Sequence, residues 1–353
     1  MNETILNIWY MAGWADELTE GLVARKLLGT PIVMFRGTSG AAVAMLDRCP
    51  HRFAPLSRGQ LNAGVIRCGY HALEYDEHGI CIKNRFAQQP PAGVRVRTFP
   101  IVERDTILWI WPGDAELADP SLIPSFPYLT DPAYKTANGY SYIRASYMLI
   151  TDNLMDLSHV DMLHPNFGGI LDRGKFIARH SGLVVESNWF TQSVPPTTNL
   201  VNLWQACPEV VDHWFDMTWR APGAMILDVG VTHPGQPRSE GFSHPSLHVV
   251  TPEAKDSTHY FWNAGLAHDH PLDIGMFRDI LAHAFDQEDR PMLEAVASRM
   301  EEQPLEALGP ISLPTDNGAV RVRRILAELA AQDRTPRTRP AITDQPGNAK
   351  QAG

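Results

Sequence analysis

Cysteine is scarce in this chain. Four in 353 residues are too few for the disulfide lattice of a small secreted scaffold. Cations are also in short supply: Lys and Arg number 30 against 40 Asp and Glu, a formal charge of −10. No nucleic-acid surface is expected, because that would need a clustered excess of Lys and Arg. There is no apolar run of about eighteen residues, hence no expected membrane span. The opening stretch MNETILNIWYMAGWADEL has no basic region, long apolar segment and cleavage site in succession, so no signal peptide is read there. A cytoplasmic location is expected, with reduced cysteines available to a metal. Apolar residues make up 44% and charged ones 20%, which excludes a disordered or fibrous chain.

What is present divides in two. The first third reads as short strands broken by turns. Residues 31–36 and 41–46 flank the turn signal Gly37-Thr-Ser-Gly40, and further strands are read at 64–68 and 107–111. A Pro-rich passage from Asp114 to Pro132 is the expected boundary. Domains are therefore placed at 1–118 and 119–333, with a polar tail at 334–353 expected to lack fixed structure. In the second part, helices are predicted over 148–164, 271–302 and 316–331, with strand character between the first two.

Two side-chain constellations carry chemistry. The first is Cys49-Pro-His51 followed by Cys68-Gly-Tyr-His71, each pair at the end of a predicted strand. Two thiolates and two imidazoles suit a structural zinc, or a [2Fe–2S] centre of Rieske type in which Cys holds one iron and His the other. Cys and His alternate here, whereas zinc fingers keep like ligands together. That order favours one ligand per iron from each loop. Cys81 and Cys207 stand outside the pattern and are read as buried core residues.

The second constellation is Asp156-x-x-His159-x-x-x-x-His164. His159 and His164 lie about 140° apart on a regular helix, so convergence on one metal needs a wide or loosened turn. Pro165 disfavours helical backbone at His164. Two His and one carboxylate with open positions make a non-haem iron site. The carboxylate is sought at Asp286-Gln-Glu-Asp289, where Asp289 falls in the core-facing register of Leu281, Phe285, Met292 and Val296. Glu288, at the edge of that stripe, stays open by periodicity alone.

With both constellations in one chain, the sequence resembles the oxygenase components of Rieske non-haem iron oxygenases. The longer strings Trp9-Tyr-Met-Ala-Gly-Trp14, Asp47–Ser57, Pro100–Arg104, Trp109–Asp114, Asp152–Leu157 and Glu288-Asp289 resemble its aromatic O-demethylase branch, that of vanillate and dicamba O-demethylases. The resemblance implies an α+β fold. An N-terminal all-β [2Fe–2S] domain would precede a catalytic domain whose antiparallel sheet is flanked by helices, helix-grip-like. It implies His159, His164 and Asp289 as Fe(II) ligands and Asn153 as a polar neighbour of the iron. Asp156 would bridge to a Rieske histidine, His71, of a neighbouring subunit in a head-to-tail homotrimer. One departure is Ala72, where the family often has Gly after the histidine; Ala is tolerable unless φ is positive there.

The chain has no Gly-rich dinucleotide fingerprint, so electrons from NAD(P)H must arrive through a separate flavin- or ferredoxin-type reductase. The expected reaction is O-demethylation of a vanillate-type aromatic acid by O2, releasing a phenol and formaldehyde. Oxidation of another aryl ether or of an aryl methyl group is the alternative, and a zinc-stabilised binding protein a distant one. For the substrate pocket, Phe167, Leu171, Trp204, Trp219, Met225, Leu227, Phe261 and Ile280 are candidate walls. Arg220 is the candidate carboxylate clamp and His248 a candidate hydrogen-bonding group.

Overall fold

The computed structural model describes residues 4–19, 21–204, 207–301 and 303–334. Of the expected tail, all but Arg334 lies outside the described residues.

The N-terminal part is built of small antiparallel sheets. One joins Tyr10–Trp14, Ile107–Ile110 and Ile101–Arg104. A second joins Val23–Leu27, Thr30–Arg36, Ala42–Leu46 and Thr98–Phe99. The third joins Gln60–Asn62, Val65–Arg67, Glu74–Tyr75 and Cys81–Lys83. The predicted hairpin at 31–46 forms, with Phe35 opposite Val43 and Ile32 opposite Leu46.

The C-terminal part is one seven-stranded antiparallel sheet. Its strands are β1 (Tyr134–Ile143), β2 (Lys175–Ser181), β3 (Val184–Val194), β4 (Val211–Arg220), β5 (Ala224–Thr232), β6 (Phe242–Ala254) and β7 (Ser257–Ala267). Their spatial order is β1-β7-β6-β5-β4-β3-β2. Strand alternation gives the sheet two apolar faces. Leu247, Val249 and Phe261 pack outward against Trp9, Met11, Trp14 and Trp109 of the first part. Phe215, Met217, Trp219, Val229, Tyr260 and Trp262 face inward, against the helices. Hydrogen bonds stitch the two parts together: Thr251 Oγ1 donates to the Met11 carbonyl at 2.8 Å, and the Leu28 and Gly29 amides donate to Pro252 and Glu253 at 2.8 and 2.7 Å.

Two of the predicted helices are interrupted, and both interruptions build the site; short helices at Thr198–Leu203 and Leu305–Leu308 were not predicted. The expected helix over 148–164 is split. Helix α1 (Tyr147–Met155) stops where Asp156 leaves helical backbone at φ −117°, ψ 88°. The Asp156 carboxylate then caps the next turn by accepting from the Ser158 amide at 3.0 Å. A 3₁₀ turn at Leu157–His159 leads into α2 (Val160–Leu163), which ends at His164, φ −117°, ψ 82°, before Pro165. The expected helix over 271–302 runs as α3 (Ile274–His283), a π-helical stretch at Ala284–Asp289, and α4 (Arg290–Arg299). Pro291 has no N–H to give the ladder, and the widened turn just before it absorbs that loss. The last helix, α5 (Asn317–Arg334), packs on α1 and on the sheet edge.

Candidate metal centres and substrate cavity

The two Cys/His loops share one backbone plan. The Cys49 amide donates to the Ala54 carbonyl at 2.8 Å, and the Phe53 amide donates to the Cys49 carbonyl at 2.8 Å. In the second loop, the Cys68 amide donates to Leu73 at 2.8 Å and the Ala72 amide to Cys68 at 3.1 Å. In both, the residue four past the cysteine lies in the left-handed region, φ 58° at Phe53 and φ 55° at Ala72. These paired turns bring the His51 and His71 rings to 4.5 Å between centroids. Cys49 and Cys68 are buried in the core between them, His51 is exposed and His71 half-buried. Burial pushes the Cys68 thiol up, and the adjacent Cys49 adds to it. Sulfurs inward and imidazoles outward fit a two-iron cluster with a buried and an accessible iron. Tyr75, wholly buried, places its hydroxyl 3.3 Å from Cys49 Sγ, and burial raises its pKa, which keeps the hydroxyl protonated. Tyr75 was not singled out in the sequence, although its spacing from Cys68 puts it on the adjoining strand. Cys81 lies buried in this same core cluster and Cys207 is half-buried.

The split helix and the π-turn meet at the second centre. Asp289 Oδ1 lies 3.5 Å from His159 Nε2 and 3.3 Å from His164 Nε2. The three ligand atoms all fall within 4.8 Å of one another. Both imidazoles are anchored through their far nitrogens: His159 Nδ1 donates to the Asp156 main-chain carbonyl at 2.7 Å, and His164 Nδ1 to Glu288 Oε2 at 2.7 Å. Fixing Nδ1 leaves Nε2 free for a metal. Burial lowers the His159 pKa. At His164 burial opposes, but the bonds to Asp289 and Glu288 prevail and raise it. Asn153 Nδ2 reaches Asp289 Oδ1 at 3.4 Å. Two imidazoles and one carboxylate converging in this way would suit a non-haem iron able to bind dioxygen.

These three side chains line one end of a cavity between the inner face of the sheet and α1–α3, a concave and mostly apolar setting of the kind that takes small molecules. Its walls are chiefly apolar, Leu154, Phe215, Val229 and Phe285 among them, with His244, Ser246 and His248 as polar exceptions. Of the predicted pocket residues, Phe167, Leu227 and His248 line it. Arg220 does not. Phe215, Met217 and Trp219 face the core, so alternation sends Arg220 outward, where it is exposed at the strand end. Trp219 and Met225 are wholly buried in the core, Leu171 and Trp204 pack elsewhere on it, Phe261 lies on the outer face of the sheet, and Ile280 is 38% exposed on the outer side of α3; none of them is a wall. No Lys or Arg lines the cavity among the described residues.

A two-iron donor set able to pass single electrons, and a mononuclear site open to an apolar cavity, together define a two-centre oxygenase. Comparison with known proteins narrows the class. The Rieske [2Fe-2S] domain family matches residues 8–100, and the vanillate O-demethylase oxygenase C-terminal domain matches residues 143–332. The oxygenase component of dicamba O-demethylase from Stenotrophomonas maltophilia is 36% identical over 333 residues, 92% of this chain and 97% of that one. A vanillate O-demethylase oxygenase subunit of a Pseudomonas species is 30% identical over 352 residues, 93% and 95% of the two chains. The crystal structure of dicamba monooxygenase bound to 3,6-dichlorosalicylic acid superposes with a TM-score of 0.88 at 36% identity, covering 94% and 99%. The chain belongs to the Rieske non-haem iron oxygenases, as an oxygenase component related to the dicamba and vanillate O-demethylases. It carries a Rieske [2Fe–2S] cluster and a non-haem iron held by His159, His164 and Asp289. The zinc-stabilised binding protein is thereby set aside. No described helix is long and apolar enough to cross a membrane.

Proposed function

We propose that this oxygenase removes the methyl group of a methoxylated aromatic, with vanillate-type acids as the first substrates to test. The overall change balances as ArOCH3 + O2 + 2 electrons + 2 H⁺ giving ArOH + CH2O + H2O. The observation that carries the reading is the apolar cavity opening directly onto the His159/His164/Asp289 set. The bound iron supplies dioxygen activation. The chain's own residues do the rest. Phe167, Phe215 and Phe285 hold an aromatic ring against the site and exclude bulk water. Glu288 and the Asp156 carbonyl fix the two imidazoles, and Asn153 steadies Asp289. Hydroxylation of the methyl yields a hemiacetal that falls apart to phenol and formaldehyde. The acid part of the reading rests on the relatives rather than on a cation, since Arg220 lies away from the cavity.

Cys49 and Cys68 hold the inner iron of the cluster in this reading, and His51 and His71 the outer one. Electrons come from NAD(P)H by way of a separate flavin- or ferredoxin-type reductase, because the relatives are components of such systems. We also propose the head-to-tail homotrimer, with Asp156 bridging to His71 of the partner subunit. Asp156 is half-buried and its carboxylate also accepts from Thr315 Oγ1 at 3.0 Å, so it is held in place. Asp156→Asn is expected to keep both metals yet slow turnover at least about tenfold. Iron analysis with steady-state oxygen uptake checks this, and wild-type turnover would sink the bridge. The demethylation itself is tested by formaldehyde release from methoxybenzoates, methoxyphenols and ring-methyl analogues. Release from the methoxy compounds supports it. Release from none of them, with alcohol formed from a ring methyl, replaces it.

A further inference from the structure

The polar groups on the inner face of the sheet differ in how they are satisfied. His248 has both ring nitrogens engaged, Nε2 with Ser246 Oγ at 2.9 Å and Nδ1 with Tyr260 Oη at 2.6 Å. His244, two positions before Ser246 on the same face of β6, has neither nitrogen engaged. It is 3% exposed, lines the cavity, and rests against the edge of Phe277 at 5.0 Å. His213 on β4 is in the same condition: 1% exposed, both nitrogens without a partner, its ring stacked at 4.5 Å on the cavity wall Phe215. The register explains their closeness. Val229 on β5 pairs with Phe215 on one side and with His244 on the other, and His213 lies one step beyond Phe215 on the same face. His244 on the cavity wall and His213 beside it thus hold imidazole nitrogens with no hydrogen-bond partner in the protein. Native proteins pair such groups, because leaving them unpaired costs stability.

We propose that His244, backed by His213, is the substrate-recognition residue for a hydroxyl on the ring of the methoxyarene. The inference rests on the O-demethylation reading and specifies its substrate class. A neutral imidazole offers one N–H donor and one lone pair, and a hydroxyl offers the same two complements. Burial keeps both rings neutral, with the His244 pKa pushed down to about 4 and that of His213 to about 3. A carboxylate can only accept. It would lie buried with no Lys or Arg among the described residues lining the cavity to offset its charge. His248, already paired within the chain, contributes shape and not recognition.

Anaerobic calorimetry on the iron-loaded protein tests the assignment with three probes: 2-methoxyphenol, methoxybenzene and 2-methoxybenzoate. The wild type is expected to bind methoxyphenol about tenfold or more tighter than methoxybenzene, and tighter than the benzoate. His244→Leu should abolish the hydroxyl preference while leaving methoxybenzene affinity within about twofold. His244→Phe, which keeps a ring in place, gives the same readout if the leucine variant does not fold. Retention of the preference in these variants overturns the proposal, as does tighter binding of the benzoate. No preference in the wild type also overturns it, and would mean that the nitrogens serve a buried water. Formaldehyde is assayed separately. A His244-dependent preference without formaldehyde release would leave this assignment standing and remove the O-demethylation reading.

Discussion

Adjacent residues at the iron site have opposite assignments. Asp289 turns its Oδ1 to both Nε2 atoms, while Glu288 takes Nδ1 of His164. Helical periodicity favoured Asp289 without excluding Glu288, and the π-turn that separates them was not visible in it. A carboxylate on the far nitrogen of a metal-bound histidine orients the ring and raises its basicity. Glu288→Gln keeps the shape but loses the charge, so iron affinity is expected to fall about tenfold. The iron-to-protein ratio after dialysis against a chelator would show it. Wild-type retention would mean that Glu288 only fills space. Arg220 was misplaced for a reason that was itself legible: it follows Trp219 on a strand whose alternate residues face the core. His244 was overlooked on the same arithmetic, since residues 244, 246 and 248 share one face of β6.

At the scale of elements, both constellations and the break at His164 are legible in the sequence. The break at Asp156 is not, because the helical apolar pattern of α1 runs on through Leu157 and Val160. The Asp-Leu-Ser segment that caps the new turn was the available signal. The Cys/His loops show the converse. Their spacing was plain, but the repeated turn that builds them involves main-chain bonds that no residue pattern announces. That turn gives Ala72 a φ of 55°, the circumstance under which Ala is not a neutral replacement for Gly. Left-handed backbone at a Cβ-bearing residue costs about 1 kcal/mol relative to Gly. Ala72→Gly should therefore stabilise the cluster-loaded protein by about that amount, read as a higher thermal midpoint. A lowered midpoint would show that the loop is held by the Ala72 methyl instead.

The molecule as a whole is organised by the two faces of one sheet. The outer face carries the [2Fe–2S] module through Trp9, Trp14 and Trp109, and the inner face forms the cavity. Inner-face burial also sets a pH response. The pKa values of His213 and His248 are pushed down to about 3 and that of His244 to about 4, from an ordinary value of 6.5. Below pH 6.5 the unfolded chain takes up protons on these rings that the folded chain refuses. Stability is therefore full at neutral pH, starts to fall as pH drops through 6.5, and keeps falling until the folded-state values are reached. With three such rings the steepest slope approaches about 4.1 kcal/mol per pH unit. Urea unfolding between pH 7 and pH 5 should show His244→Leu losing roughly a third of that slope. An unchanged slope would mean that His244 is protonated in the folded protein.

The central claim is that the electrons and the methoxy substrate meet at the His159/His164/Asp289 site. A single turnover tests it without any reductase. The chemically reduced, iron-loaded protein is mixed anaerobically with a hydroxylated methoxyarene and then given O2, and formaldehyde is counted per mononuclear site. Formaldehyde is expected in amounts comparable to the sites present, and none from Asp289→Ala with its cluster intact. Equal release by that variant, or no release by the wild type from any methoxyarene, would contradict it.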